Sequence, residues 1–173
     1  FNGGIIMAIY FPNSEMSEVI GESWRITSTF SSDANPVLNW ERSDDVYGGG
    51  NLSYDVLNYS NGIFSFNSNH YGWYLFNWQH YTYFNDNSRW NEMICQVSWN
   101  NGANYDNHGY SASHMSPNTS SNYSAGGSAS SMILGNANTR IRWNVQVENN
   151  GVYTYGTTSE QMTGFSCIYV GEP

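Results

Sequence analysis

The stretch GIFSFNSNHYGWYLFNWQHYTYF, Gly62 to Phe84, decides the fold. It holds two runs dense in β-branched and aromatic residues, Ile63 to Phe66 and Trp73 to Phe84, and such residues favour the pleated, half-buried surface of a strand. The second run is too long and too aromatic for a surface loop, so the two are expected to form the central strand pair of an all-β domain. Successive strand residues point to opposite sides. Tyr74, Phe76, Trp78 and His80 therefore share one face, and Trp73, Leu75, Asn77, Gln79 and Tyr81 share the other. Large apolar groups stand on both, the pattern of a strand covered on both sides. One face is read as core and the other, led by Trp73 and Leu75, as a contact with something beyond the domain.

Outward from this stretch, Asn58 to Gly62 supplies a turn, with Asn61-Gly62 the strongest short hairpin cue in the chain. Asn85 to Ser88 turns the long run into Trp90 to Trp99, closed by Asn100-Asn101-Gly102, and these strands are expected to be up-and-down neighbours. Arg140 to Glu148 alternates cleanly: Ile141, Trp143, Val145 and Val147 face inward, Arg140, Arg142, Asn144 and Gln146 outward. Ile5 to Phe11 reads as a buried first strand closed by Pro12, Asn13 to Gly21 as a loop or one helical turn, and Trp24 to Phe30 as a strand. Val37 to Arg42 is a shorter candidate, and Asp44 to Gly50 a flexible connection. Ala103 to Gly127, mostly Asn, Ser, Gly, Tyr and His, is expected to form long loops with one edge strand near Gly109 to His114. Ser128 to Leu134 is the next strand, and a polar segment runs to Met162 before the last one, Thr163 to Gly171. No helix of normal length is visible. The sum is an all-β, antiparallel jelly-roll sandwich of about ten short strands, one domain over residues 1–173, with 1–12 as the first strand and the continuation from an upstream stalk.

Composition narrows the function. A chain of 173 residues buries a core without disulfides or metals. With five arginines, no lysine and 14 acidic residues, the formal charge is −9, which excludes a cationic groove for nucleic-acid phosphates. Seven Trp and 14 Tyr exceed the needs of one core, so some rings are expected at the surface or in an interface. No run approaches the ~18 apolar residues of a membrane-spanning helix, and Phe1-Asn2-Gly3-Gly4 does not open a signal peptide. Cys95 and Cys167 each sit in an apolar run, as two buried free thiols or, alternatively, as one disulfide.

The residues able to do chemistry are sparse. A glycoside hydrolase needs two carboxylates facing each other across a cleft, and Glu41 and Glu92 are strand-borne acids near aromatics in strands expected to lie far apart. His70, His80, His108 and His114 form no His-x-His or His-x-x-x-His pair. They are read as solvated or hydrogen-bonded loop histidines, and Asp44, Asp45 and Asp86 as turn residues. No catalytic residue, metal or cofactor is expected. Glycan binding is the more credible site, because sugar rings stack on exposed aromatic faces while amides and carboxylates satisfy hydroxyls. The candidates are Tyr105, Asp106, Asn107 and Tyr110 in one loop, with Trp90 and Tyr123.

Gly62-Ile63-Phe64 followed by Gly72-Trp73-Tyr74-Leu75-Phe76, the alternating Arg140 to Val147, Val152-Tyr153, and Met162-Thr163-Gly164-Phe165-Ser166-Cys167-Ile168-Tyr169 resemble the successive pieces of the C1q/TNF-like jelly roll. The resemblance implies a compact homotrimer with Trp73, Leu75, Asn77 and Tyr81 around the three-fold axis. For a lysine-free, Asn- and Tyr-rich chain it further implies a non-enzymatic head of a bacteriophage fibre, spike or capsid decoration, at the virion surface or outside the cell. The implied partners are its own copies, other virion proteins and a cell-surface glycan, with no nucleic acid. A secreted carbohydrate-binding module or a β-sandwich glycoside hydrolase is the alternative. The loops 35–59 and 103–127 depart from the family pattern, and no family calcium site maps onto them.

Overall fold

A computed structural model describes residues 19–43, 52–53, 55–84, 90–114 and 123–173. The expected first strand at Ile5 to Phe11, the Asp44 to Gly50 connection and the Asn85 to Ser88 turn lie outside them. The described residues form twelve strands and no helix: β1 (Val19–Ile26), β2 (Trp40–Arg42), β3 (Leu52–Ser53), β4 (Leu57–Ser60), β5 (Ile63–Phe66), β6 (Gly72–Phe84), β7 (Trp90–Ser98), β8 (Asp106–His114), β9 (Tyr123–Gly135), β10 (Arg140–Val147), β11 (Val152–Thr154) and β12 (Gly164–Gly171). They make two facing sheets, the jelly-roll sandwich.

In the seven-stranded sheet, β6 is the axis. The whole of β9 pairs with it on one side, from Gly72 opposite Gly135 to Phe84 opposite Tyr123. On its other side β12 pairs with the first half and β11 with the last three residues. β12 then pairs with β1, and β1 with β2 and, in a short parallel contact, β3. The five-stranded sheet runs β4, β5, β10, β7, β8.

Two expectations are corrected here. Ile63 to Phe66 and Trp73 to Phe84 are not a strand pair, and neither is an up-and-down neighbour of Trp90 to Ser98. β5 and β7 belong to the five-stranded sheet and β6 to the other, so the chain crosses the sandwich twice. The reason lies in the rings. Phe66 sits 5.0 Å from Tyr74 and 6.3 Å from Phe76, centroid to centroid, and it meets them across the core. The hairpin cue held one step earlier: Ser60 pairs with Ile63, and Asn61 (φ 49°) and Gly62 (φ 81°) form the left-handed two-residue turn joining β4 to β5.

The second correction concerns segments read as loops. Tyr123 to Gly127 is the first part of β9 and Val152 to Thr154 is strand β11, while the edge strand expected near Gly109 to His114 is present as β8 and starts earlier, at Asp106. β1 begins at Val19 and ends at Ile26, where Trp24 to Phe30 was expected. Small residues in β9 are a packing requirement, not a loop signal. A Cβ on Gly127 would come within 2.6 Å of the His80 ring and 2.7 Å of the Ala112 carbonyl oxygen.

The core is aromatic. Trp143 stacks on Phe165 at 4.0 Å, and Phe64 stands edge-on to Trp24, Trp40, Trp143 and Phe165 at 5.0–5.7 Å, the offset and edge geometries that ring quadrupoles favour. Cys95 and Cys167 are buried free thiols, and burial pushes both above the usual thiol range.

Candidate functional site

The outer face of the seven-stranded sheet is open. Along β6, Tyr74, Phe76, Trp78 and His80 are buried, while Trp73, Leu75, Asn77, Gln79 and Tyr81 point outward, as the alternation predicted. Cross-strand pairing sorts that face into three bands. Leu75 lies between Met132 and Ile168, and Trp73 beside Leu134 and next to Val170, so one end is apolar. Met132 and Ile168 are each 41% exposed, Trp73 38% and Val170 58%. In the middle, Asn77 lies between Ser130 and Ser166, and Gln79 between Ser128 and Gly164, leaving a groove of about 460 Å³. At the far end Tyr81 packs edge-on to Tyr155 at 5.8 Å, and Tyr83 lies near Tyr153 at 6.3 Å. None of the outward residues of β6, β9 and β12 in these bands is charged. The four residues Trp73, Leu75, Asn77 and Tyr81 thus share one continuous face that is free of charge across β6, β9 and β12.

The glycan candidates separate into two groups. Tyr105, Asp106, Asn107 and Tyr110 come together at the start of the edge strand β8, which begins at Asp106, three residues before the edge strand expected at Gly109. Trp90 pairs with His114 at the opposite end of the β7–β8 ladder, and Tyr123 lies beside Phe84 at the end of β9. The structure does not join these two to the first group.

Around the first group the sequence reading missed Gln96 and the role of Arg142. Gln96 of β7 stands between Arg142 of β10 and Asn107 of β8. Arg142 Nε donates to Gln96 Oε1 at 2.8 Å, Gln96 Nε2 donates to Asn107 Oδ1 at 2.7 Å, and Asn107 Nδ2 donates to the Tyr110 hydroxyl at 2.5 Å. The Arg142 guanidinium lies 4.0 Å from the Tyr105 ring centroid. Arg140, two residues away on the same side of β10, bonds the carbonyls of Ala137 and Thr139 and the Asn101 side chain. Burial raises the Tyr105 hydroxyl pKa, and the two arginines oppose that rise.

A second missed cluster lies inside the sandwich. His80, 2% exposed, is bonded at Nδ1 to Ser111 at 2.9 Å and at Nε2 to Ser113 at 3.1 Å. Beside it Asn91 donates to Thr154 at 2.9 Å. The reading of His80 as a loop histidine is corrected: it is a core residue, and burial lowers its pKa to about 4. The available signal was the Ser111-Ala112-Ser113 alternation, which puts two hydroxyls on one side of a strand. Glu22 is likewise buried. It accepts from Trp24 Nε1 and the Leu57 amide, both at 2.9 Å, and lies 3.4 Å from Arg42, while burial raises its pKa.

Glu41 is held by Arg25 at 2.8 Å on the outer face of the seven-stranded sheet. Glu92 sits opposite Gln146 on the outer face of the other sheet.

No protein-family model matches the sequence, and no curated protein matches it. Solved structures do. Eiger TNF from S. frugiperda superposes with a TM-score of 0.63 at 10% identity, over 90% of this chain and 95% of that one. Murine APRIL at pH 5.0 gives 0.58 at 11% identity, over 87% and 98%, and at pH 8.0 it gives 0.55 at 12%, over the same shares. At such identities the likeness is one of fold. The chain has the TNF-like jelly roll that its sequence resembles.

Proposed function

We propose that this chain is a non-enzymatic recognition module that works as a homotrimer on the surface of a virus particle. As a fibre head, spike or capsid decoration it adheres to host-surface glycan or caps a structure of other virion proteins. One observation carries the assembly: the open face of the seven-stranded sheet combines exposed Trp73, Met132, Ile168 and Val170 with no charge on β6, β9 or β12. Exposed apolar area of this kind marks an interaction surface, and interface centres are depleted in charge. The C1q/TNF resemblance gives the occupant as two further copies of the chain. A surface without lysine, made soluble by Asn, Ser and Tyr, supports the virion setting.

Sedimentation equilibrium tests the assembly. Three copies of 19.5 kDa are expected, and Leu75→Arg, which sets a cation in the apolar band, is expected to leave single chains with an unchanged far-ultraviolet spectrum. A monomeric wild-type chain would overturn the reading. The hydrolase alternative fares worse on geometry. Glu41 and Glu92 stand on outward faces of opposite sheets, with a core about 10 Å thick between the sheets, so they do not face across a common cleft.

A further inference from the structure

We propose that the outer face of the five-stranded sheet binds a carboxylate-bearing sugar, with Arg142 pairing its carboxylate and Tyr110 carrying its ring. This rests on the adhesion reading above and names its ligand class. Four observations lead there.

The first is the pairing of the cations. Among the described residues, Arg25 is paired with Glu41, and Arg42 with Glu22 and Asp55. Arg140 and Arg142 have no carboxylate partner among the described residues, in a chain with 14 acids to five arginines. They are two residues apart on one strand, so both project from the same face, where like charges repel. Arg140 spends its terminal nitrogens on the Ala137 and Thr139 carbonyls and Asn101, so Arg142, bonded at Nε alone, is the cation with terminal nitrogens left for an anion from outside.

The second is the direction of the hydrogen bonds. Arg142 Nε can only donate, so Gln96 must present its oxygen there and its amide nitrogen to Asn107. Asn107 must then accept from Gln96 and donate to Tyr110, whose hydroxyl oxygen is thereby used as an acceptor. Both ends of the chain are left as donors: the terminal nitrogens of Arg142 and the O–H of Tyr110. Such an array selects an acceptor-rich, anionic partner, and a guanidinium takes a carboxylate through two parallel bonds.

The third is pre-organisation. Tyr105 packs on one face of the guanidinium and Gln96 fixes its inner edge, so little freedom is lost on binding. The Tyr105 hydroxyl itself is buried with no hydrogen-bond partner among the described residues and lies close under Gly102, 3.4 Å from where a Cβ would stand.

The fourth is what surrounds the donors. Tyr110 is 54% exposed, a free ring face for a sugar to stack on. Its neighbours on the face are the polar Arg142, Gln96, Asn107 and Asn144 and one apolar residue, Ile94, which stands between Tyr110 and Asn144 and is covered to 2% exposure, so no open apolar pocket is offered to peptide side chains. That favours a carbohydrate over an acidic peptide.

The full-length chain is titrated calorimetrically with sialyllactose, digalacturonic acid, lactose and tetraglutamate, alongside Arg142→Met, Arg142→Lys and Tyr110→Ala. The expected result is binding of at least one of the acidic sugars and not of lactose. Affinity is expected to fall about tenfold or more for either arginine variant, since a charge-assisted bidentate pair is lost, and to fall also for Tyr110→Ala, whose exposed ring supports no core packing. Equal binding of lactose, no effect of Arg142→Lys and Tyr110→Ala, or no binding of either acidic sugar would overturn the proposal, as would Arg142-dependent binding of tetraglutamate alone. Adhesion of the wild-type chain to a sialylated or pectin-coated surface that persists in Arg142→Met would sink this site and leave the adhesion reading standing. Titration as expected without adhesion of the assembled protein would do the reverse.

Discussion

His80 makes the stability of the fold depend on pH in a way that can be worked out in advance. Its ring is 2% exposed and its two nitrogens are spent on the hydroxyls of Ser111 and Ser113. Burial lowers the pKa from 6.5 to about 4. Above pH 6.5 the imidazole is neutral in both folded and unfolded chains and contributes no pH dependence. Between 6.5 and 4 the unfolded chain takes up a proton that the folded chain refuses, so stability is lost as pH falls. At about 1.4 kcal/mol per unit, the loss reaches about 3 kcal/mol near pH 4. Glu22 acts in the opposite sense. Its pKa is raised above 4.5, so its contribution to stability grows as pH falls and is lost as pH rises through the folded-state value. The comparison must therefore be between wild type and His80→Gln, which keeps Glu22 and removes the imidazole. Urea unfolding at fixed protein concentration, at pH 7.5 and pH 4, should show wild type losing about 3 kcal/mol more than the variant. Parallel pH profiles for the two proteins, or a His80 ring resonance titrating near the ordinary histidine value, would refute the reasoning.

Phe64, with no exposed surface and rings of Trp24, Trp40, Tyr59, Trp143 and Phe165 around it, should cost about 3–5 kcal/mol when replaced by Ala, read as a lower urea midpoint at unchanged slope. Gly127→Ala places a Cβ against the His80 ring and the fixed Ala112 carbonyl, and should destabilise by about 1–3 kcal/mol in the same assay. Cys95 and Cys167 should give no reaction with a thiol reagent in the native protein and both should react in denaturant, whereas a native disulfide would leave both silent until reduction.

Much of the architecture was legible because strand alternation is a local property. Tyr74, Phe76, Trp78 and His80 against Trp73, Leu75 and Asn77 came out on their expected faces, as did Ile141, Trp143 and Val145 against Arg140 and Arg142. Sheet membership was not legible, because periodicity says which side a residue faces and nothing about which strand lies beside it. Hence β5 and β6 were read as a pair although they meet across the core. The loop reading of Tyr123 to Gly127 failed for a related reason. Gly126 and Gly127 mark the close passage of β9 over His80 and β8, and composition alone cannot tell a close passage from a turn. The site was half visible. Tyr105, Asn107 and Tyr110 stood out as rings and amides near one another in sequence, but Arg142 and Gln96 join them only through the β10–β7–β8 register, a long-range pairing no short motif encodes.

The two outer faces differ in kind, and the difference orders the proposals. A face destined for burial must shed charge, because an unpaired ion inside an interface costs several kcal/mol. The seven-stranded sheet does so across β6, β9 and β12, in a chain where 19 residues are charged. The seven-stranded sheet confines its outward charges to the Arg25–Glu41 pair on β1 and β2, whereas the five-stranded sheet keeps Arg140, Arg142 and Glu92 outward on β10 and β7, with no carboxylate on either arginine among the described residues, as suits a face left in water. In the proposed trimer the first face turns inward and the second points away from the axis, so each assembly carries three copies of the Arg142–Tyr110 site. A single carboxylated sugar on one such open ladder binds weakly. Three ladders fixed on one rigid body, facing a surface that repeats the same sugar, gain affinity by effective concentration without any new contact. Avidity should therefore vanish with Leu75→Arg, which separates the chains, while the one-site affinity measured by titration stays the same. If the monomeric variant adhered as well as the trimer, assembly and recognition would be unconnected.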